Sequence, residues 1–188
     1  MEENEIKIGD QTWTTKNLDV SAYKNGDAIP QVQDEEDWAN LSTGAWCYYE
    51  NDTENGKTYG KLYNWYAVND PRGLAPKGYH IPTDAEWTIL TDNLGDKVGT
   101  KPSDLSDWDY YGTNSSRFAG LPGGFRNSFG HFKDIWANGT WWRLSDNFTN
   151  NAWCRNLYLG TNGHPIGGAV YRNDLFKRNG FSVRCLRD

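Results

Sequence analysis

The sequence lacks the features that mark membrane proteins and nucleic-acid-binding proteins. No stretch approaches the roughly 20 apolar residues of a membrane helix. No run of Lys or Arg is present to neutralise phosphates, and the formal net charge is −6, so we expect neither nucleic acid nor an anionic membrane surface as a partner. The N-terminal MEENEIKIG has neither the basic nor the apolar region of a signal peptide. We therefore expect either a cytoplasmic mature form or a truncated or engineered start.

Cysteine and methionine are also scarce. The three cysteines are an odd number at long spacings, which excludes a disulfide framework and a CxxC metal site. At most one bridge can form, and Cys47 to Cys185 is the pairing we expect. Methionine occurs once, whereas 10 Trp, 11 Tyr and 7 Phe supply much of the 37% hydrophobic content. The core is therefore predicted to be built largely from aromatic side chains.

The length of 188 residues predicts one compact domain spanning residues 1–188. Twenty Gly and the absence of long apolar runs favour short strands, turns and loops over a helical bundle. The alternation in EIKIGDQTWTTKNLDV predicts an opening hairpin that turns at Gly-Asp. Residues 24–58 are predicted to form a long surface excursion with one strand near AWCYYE and a mobile turn at NDTENGKT.

Two segments predict helices. The aromatic spacing of residues 60–69, with Pro71 after it, predicts a short first helix. In residues 83–94, Thr83 and Glu86 form an S/T-x-x-E capping box, which predicts a second helix. An apolar stripe on this helix is predicted to pack on a sheet, and it consists of Trp87, Leu90 and Leu94. From residue 96 no helical periodicity returns, and the closing FSVRCLRD alternates as a strand does.

The patterns of metal and nucleophilic catalysis are absent from the sequence. His80, His131 and His164 are scattered, with no HxH, HxxxH or HExxH spacing. We expect His80 to be a core or hydrogen-bonded residue. No GxSxG, P-loop or GxGxxG occurs, and LPGGFRNSFG predicts a turn with a close backbone approach rather than a phosphate site.

Acidic residues give no specific catalytic pattern either. Glu86 is occupied by the helix cap, and Glu35 and Glu36 lie in an acidic stretch, so a glycosidase pair has no support. Three aspartates lack the EF-hand spacing, and no EPN or QPD triplet of sugar-binding lectins is present. These aspartates are Asp104, Asp107 and Asp109. We predict no cofactor, with structural calcium at these aspartates as the one alternative left open.

Several separated motifs carry a family resemblance over nearly the whole chain. IGDQTWTTKNLDV and YGKLYNWYAV are followed by GYHIPTDAEW at residues 78–87, LPGGFR at 121–126 and GFSVRC at 180–185. In order and spacing they resemble the Fibrobacter succinogenes major paralogous domain family. That resemblance implies the C-type-lectin-like fold shared with formylglycine-generating enzymes, an α+β domain with two helices, small antiparallel sheets and extensive loops. Many relatives carry Cys at the position of Ala75, so the family's bridge to Cys185 cannot form here.

Residues 141–188 show a narrower resemblance, to the variable region of proteins that retroelements diversify in gut Bacteroides and their phages. There, Asn codons are mutated at adenines, which yields Tyr, His, Asp, Gly, Ser, Cys, Arg, Leu, Phe or Ile but not Trp, Lys, Glu, Gln or Met. Nine residues among surviving Asn all belong to the permitted set. They are Cys154, Tyr158, His164, Ile166, Tyr171, Asp174, Leu175, Phe176 and Arg178.

The composition of residues 143–178 predicts a ligand-binding surface independently of that resemblance. Tyr, Phe, Arg and Asn are the residue types that adaptable binding surfaces use. The candidate contacts are Arg143, Ser145, Asn147, Phe148, Cys154, Tyr158, His164, Ile166, Tyr171, Asp174, Leu175, Phe176 and Arg178. Leu175 and Phe176 are adjacent and cannot both face one core in a strand, so the alternative is that one of them fills the core.

These observations favour a non-catalytic adhesin or receptor-binding domain with a diversified surface. The resemblance implies a protein or glycan partner on another cell surface, and a location on a cell surface or virion. An alternative is a module of fixed specificity that stacks a carbohydrate or binds a protein on Trp136, Trp141 and Trp142. A divergent oxidase of the formylglycine-generating type is a third reading. The paired active cysteines or histidine iron site of such enzymes have no counterpart in this sequence.

Overall fold

The computed structural model describes residues 4–94, 117–144, 149–158 and 170–188. It shows a mixed α+β architecture in which the helices are short and the strands form several small sheets. The α-helices are α1 (Glu35–Ala39), α2 (Thr53–Tyr59), α3 (Trp65–Val68) and α4 (Asp84–Leu94), and a 3-10 turn spans Tyr49–Asn51. The strands are β1 (Glu5–Ile8), β2 (Gln11–Thr14), β3 (Trp46–Cys47), β4 (Leu62–Tyr63), β5 (Tyr79–His80), β6 (Gly123–Arg126), β7 (Phe132–Ile135), β8 (Asn138–Trp142), β9 (Asn151–Tyr158), β10 (Val170–Phe176) and β11 (Leu186–Arg187).

The first sheet joins the two ends of the chain. Its strand order is β1-β2-β11-β5, with Leu186 of β11 paired between Trp13 and His80. The predicted opening hairpin is confirmed, because β1 and β2 pair antiparallel around Gly9, whose φ is 59°. The predicted closing strand is shorter than the alternation indicated. Only its last part joins this sheet, and Phe181 makes an isolated bridge to β4.

The second sheet has the order β10-β9-β8-β6-β7, and β10 lies at its edge. β9 and β10 pair antiparallel over seven residue pairs, from Val170 opposite Leu157 to Phe176 opposite Asn151. This is the longest ladder among the described strands. The LPGGFR segment predicted as a turn contributes β6 instead, and Gly124 at φ 64° provides the close approach to β7.

The second predicted helix is confirmed as α4. The Thr83 hydroxyl lies 2.8 Å from Glu86 Oε2, and the same carboxylate accepts a 2.7 Å bond from the Thr83 backbone N–H. The three stripe residues predicted to pack inward are all buried. The first predicted helix is present only in part as α3, because Leu62 and Tyr63 pair with β3 as β4.

The mobile turn predicted at NDTENGKT was wrong, because this segment folds as α2. The Asp52 carboxylate caps the helix by accepting from the backbone N–H of Glu54, and Gly56 and Tyr59 are buried. The acidic stretch before it also contains a helix that the sequence did not predict. In α1, the Asp34 carboxylate accepts from two backbone N–H groups of the first turn, and Trp38 is fully buried.

The core is aromatic, as predicted. Six tryptophans are at most 2% exposed, and they are Trp13, Trp38, Trp65, Trp87, Trp141 and Trp142. The expected Cys47–Cys185 bridge was wrong, because all three cysteines are free and buried. Cys47 packs in the cluster that contains Trp38, whereas Cys185 lies in a different cluster, which also contains Ala75. Burial raises the pKa of each thiol to about 12.

Two buried arginines tie loops to the sheets, a role that the sequence did not predict. Arg126, 1% exposed, donates to the backbone carbonyls of Gly130, Val32, Gln33 and Asp34 and stacks on Trp38. Arg184, 0% exposed, donates to backbone carbonyls of residues 14, 118 and 119 and to the side chain of residue 17. These acceptors are mostly neutral carbonyls, so each guanidinium supplies several loop oxygens with the hydrogen bonds that water would otherwise donate.

No helix among the described residues is long and apolar enough to span a membrane.

Candidate functional site

The edge strand β10 exposes most of its side chains. Tyr171 is 43% exposed and Phe176 is 50% exposed, and the three residues at 172–174 are exposed as well. Leu175 differs from them because it is half-buried and packs against the largest core cluster. A strand that remains fully paired to β9 therefore presents two large apolar side chains to solvent.

The register of β9 and β10 assigns each side chain to one of two faces. Residues directly opposite in an antiparallel pair lie on the same face. Asn173 lies opposite Cys154 and Leu175 opposite Ala152, and both of these β9 residues belong to the core. The opposite face, which we call the arginine face, carries Trp153, Arg155, Arg172, Asp174 and Phe176.

The arginine face meets the first turn of α4 at Asp84. The Asp84 carboxylate forms ion pairs with three guanidinium groups. Arg172 Nη2 lies 2.9 Å from Oδ2, Arg143 Nε lies 3.3 Å from Oδ1, and Arg155 Nη2 contacts Oδ1. Burial, partly offset by Asp84, lowers the pKa of both Arg143 and Arg155. Thr88, one turn further along α4, accepts from Arg155 and Arg172.

A groove of about 320 Å³ lies beside the end of β10. Its lining residues are Asn40, Leu41, Ser42, Tyr66, Asn150, Phe176, Lys177 and Arg178. The exposed Arg178 guanidinium donates to the carbonyl of Ala39 at 2.8 Å. The Arg178 carbonyl in turn accepts from Trp38 Nε1 at 2.8 Å, so α1 and the end of β10 hold each other in place.

The candidate contact residues differ in exposure, and Leu175 is half-buried. Tyr171, Asp174, Phe176 and Arg178 are exposed. The assignment of Arg143 and Cys154 to the outer surface needs correction, because Arg143 is 8% exposed and Cys154 is 0% exposed. Arg143 turns inward to Asp84, and Cys154 packs in the core because its strand position faces that way. The other candidates are Tyr158, whose backbone lies in β9, and Ser145, Asn147, Phe148, His164 and Ile166, which lie outside the described residues.

The three tryptophans considered for a fixed-specificity module do not form a common exposed platform. Trp141 and Trp142 are buried, whereas Trp136 is 59% exposed. Asp104, Asp107 and Asp109 lie outside the described residues. Within the described ranges, no group of three or more His, Cys, Asp or Glu is placed to hold a metal ion.

His80 is hydrogen-bonded, as expected. Its Nδ1 lies 2.9 Å from Asp188 Oδ1, and its Nε2 lies 3.0 Å from Glu86 Oε1. Burial alone would lower the pKa of His80, but the bonds to these two carboxylates outweigh it and raise the pKa.

Arg155, Arg172 and Trp153 were absent from the sequence prediction of the site. All three lie between predicted contact residues, and Trp is outside the set that adenine substitution of Asn codons yields. The period-two alternation of β9 and β10 would have grouped them, but only once the pairing of the two strands was known.

The fold and this site together define an α+β domain in which an aromatic core supports an exposed edge strand backed by arginines. The chain belongs to the Fibrobacter succinogenes major domain family, whose model matches residues 6–187. No curated protein and no solved structure matches the chain.

Proposed function

We propose that this chain is a non-catalytic ligand-binding domain of C-type-lectin-like fold, whose contact surface is β10 with the groove beside it. The exposure of five of the seven β10 residues on a fully paired strand is the observation that carries the proposal. Tyr171 and Phe176 supply contact area at low rotamer cost, and Arg172 and Asp174 supply polar contacts. The backbone under them is fixed by the ladder to β9, so the surface is pre-organised.

We further propose that this surface is diversified by a retroelement. The backbone hydrogen bonds of β10 do not depend on side-chain identity, so its exposed positions can change without loss of the ladder. Tyr171, Asp174 and Phe176 belong to the residue set that adenine substitution of Asn codons yields. The partner is then a protein or glycan on another cell surface, and the domain acts at a cell surface or on a virion.

Sequencing of this locus from many clonal isolates tests the diversification. Changes at adenine positions are expected within codons 143–178, and most often at the exposed positions of β10. The codon of Ala152, a core residue of β9, serves as the internal control and is expected to stay constant. Synonymous change spread evenly over the gene would contradict diversification.

Binding to arrays of glycans and cell-surface proteins tests the location of the contact surface. A double variant, Tyr171→Ser with Phe176→Ser, is expected to lose the binding that the unmodified domain shows. Trp136→Ala is the matched control, because Trp136 is an exposed aromatic residue outside β10. The opposite result, loss with Trp136→Ala alone, would favour the fixed-specificity module. Stoichiometric copper or iron in the purified domain would instead favour an oxidase.

A further inference from the structure

Three arginines converge on one carboxylate beside the arginine face. Arg143, Arg155 and Arg172 all pair with Asp84, and Arg155 and Arg172 also contact Thr88. Among the described residues, Asp84 is the carboxylate with which these arginines form ion pairs. Three positive charges therefore meet one negative charge, in a chain whose net charge is −6.

Two of these arginines are buried without full compensation. The side chains of Arg143 and Arg155 are 10% and 5% exposed. Their Nε atoms are buried and form no hydrogen bond to any group in the described parts of the chain. Arg143 Nε lies within ion-pair distance of Asp84 Oδ1, at 3.3 Å, but without the geometry of a hydrogen bond. Burial is the largest cause that lowers the pKa of Arg143, and the neighbouring guanidiniums of Arg155 and Arg172 lower it further. Buried cations are costly unless anions and acceptors compensate them, and Asp84 compensates only one charge.

We propose that Arg143, Arg155 and Arg172 form an oxyanion-binding site, which takes a carboxylate or sulfate group of the ligand. The inference rests on the proposed binding function and names the chemistry of its ligand. A guanidinium presents a planar fork of N–H donors that matches an oxyanion. Arg172 is 52% exposed and offers the point of entry, while the two buried arginines supply the positive potential behind it.

The surroundings keep the site rigid and place it on the contact surface. Arg143 stacks on the ring of Trp153 at 5.2 Å, and Arg155 lies opposite Arg172 in the β9–β10 ladder. Phe176 lies on the same face of β10, four residue pairs from Arg172. An acidic sugar or an acidic side chain bound there would place its charge at Arg172 and its apolar part toward Phe176.

Titration of the ¹⁵N-labelled chain with sodium sulfate, and separately with sodium acetate, tests the site. Sodium chloride at matched ionic strength is the reference, because exposed charges respond to salt in general. Saturable shifts of arginine Nε–H signals with sulfate or acetate, and not with chloride, would support the proposal and identify the preferred oxyanion. Shifts that do not saturate with either anion, or that chloride reproduces, would overturn it.

Two variants assign the binding to the cluster. Arg172→Gln removes an exposed arginine and is expected to weaken the anion by about five- to tenfold, the loss of charge-assisted hydrogen bonds. Arg187→Gln is the matched control, because Arg187 is 61% exposed and pairs with Glu5 in the first sheet. Equal weakening by both variants would overturn the proposal.

A third variant is expected to strengthen anion binding instead of weakening it. Asp84→Asn removes the competing carboxylate, so the anion is expected to bind more tightly. If Asp84→Asn does not fold, the comparison of Arg172→Gln with Arg187→Gln still decides. If the chain binds no anion but still shows sequence diversity among clonal isolates and binding on the arrays, the oxyanion site is refuted and the proposed binding function is not.

Discussion

The sharpest test of a diversified strand compares the same substitution at two positions that face each other across the ladder. Asn173 of β10 and Cys154 of β9 are direct partners, yet Asn173 is exposed and Cys154 is 0% exposed. Tyrosine belongs to the set reached from an Asn codon, so diversification alone would permit it at both positions. Packing permits it only at Asn173.

The expected magnitudes follow from what the added ring meets. At Cys154 the ring enters a core that contains Trp142 and Phe181. Overpacking costs about 1–3 kcal/mol, and a buried hydroxyl without a partner costs roughly 1–3 kcal/mol more. Asn173→Tyr puts a residue that favours strands on an exposed position, so it should change the free energy of unfolding by at most about 0.5 kcal/mol.

Urea denaturation followed by tryptophan fluorescence, together with thermal melts, measures the difference. Cys154→Tyr should unfold at least about 2 kcal/mol more easily than Asn173→Tyr, a difference in Tm of about 4–8 °C for a domain of this size. Cys154→Ser is the control for loss of the thiol without added volume. If Cys154→Tyr and Asn173→Tyr were equally stable, the difference in burial between the inner strand β9 and the edge strand β10 would be refuted. In clonal isolates the same reasoning predicts small residues at position 154.

Two further predictions concern the residues that hold the fold around this strand. Arg126→Lys leaves most of four backbone carbonyls without a donor and should lower the free energy of unfolding by about 2–4 kcal/mol. Arg178→Lys is the control, because it affects one exposed hydrogen bond and should cost under about 1 kcal/mol. Equal losses of stability in urea denaturation would contradict the anchoring role of Arg126. The bonds of His80 to Glu86 and Asp188 raise its pKa above the usual 6.5, so their stabilisation is complete below that value and is lost as the pH rises through the raised pKa. The stability advantage of the unmodified chain over His80→Gln should therefore shrink between about pH 6 and 8, and an advantage that grows would contradict the assignment.

Local signals in the sequence predicted the local parts of the fold. The capping box of α4 and the opening hairpin depend on residues within a few positions of each other, and both are confirmed. The segment at NDTENGKT was misassigned because its turn-forming composition outweighed the single Asp52 cap and the burial of Tyr59, which depends on distant residues. The buried role of Arg126 depends on carbonyls more than 90 residues away, so no local pattern reveals it.

The candidate site was predictable as a region but not as a set of side chains. Composition located the exposed residues of β10, including Tyr171 and Phe176. It could not distinguish them from Cys154 or Arg143, because burial of a strand residue depends on the register and on whether its strand lies at the edge or inside the sheet, which no local pattern shows. Asp84 lies about 60–90 residues from its arginines in sequence, so the cluster appears only when α4 packs against β9 and β10.

The chain is held firmly in place directly after residue 178, where the proposed variable stretch ends. Asn179 is 5% exposed, and Gly180 exchanges backbone hydrogen bonds of 2.7 and 3.0 Å with Arg126. Phe181 exchanges bonds of 3.0 and 2.9 Å with Tyr63. A Cβ at Gly180 would lie 2.8 Å from the Trp38 ring, so only glycine fits this approach. Because the chain is fixed immediately after residue 178, a substitution on β10 can change the contact surface without moving the strands that follow. The proposed variation should therefore stop at residue 178, because burial begins at Asn179.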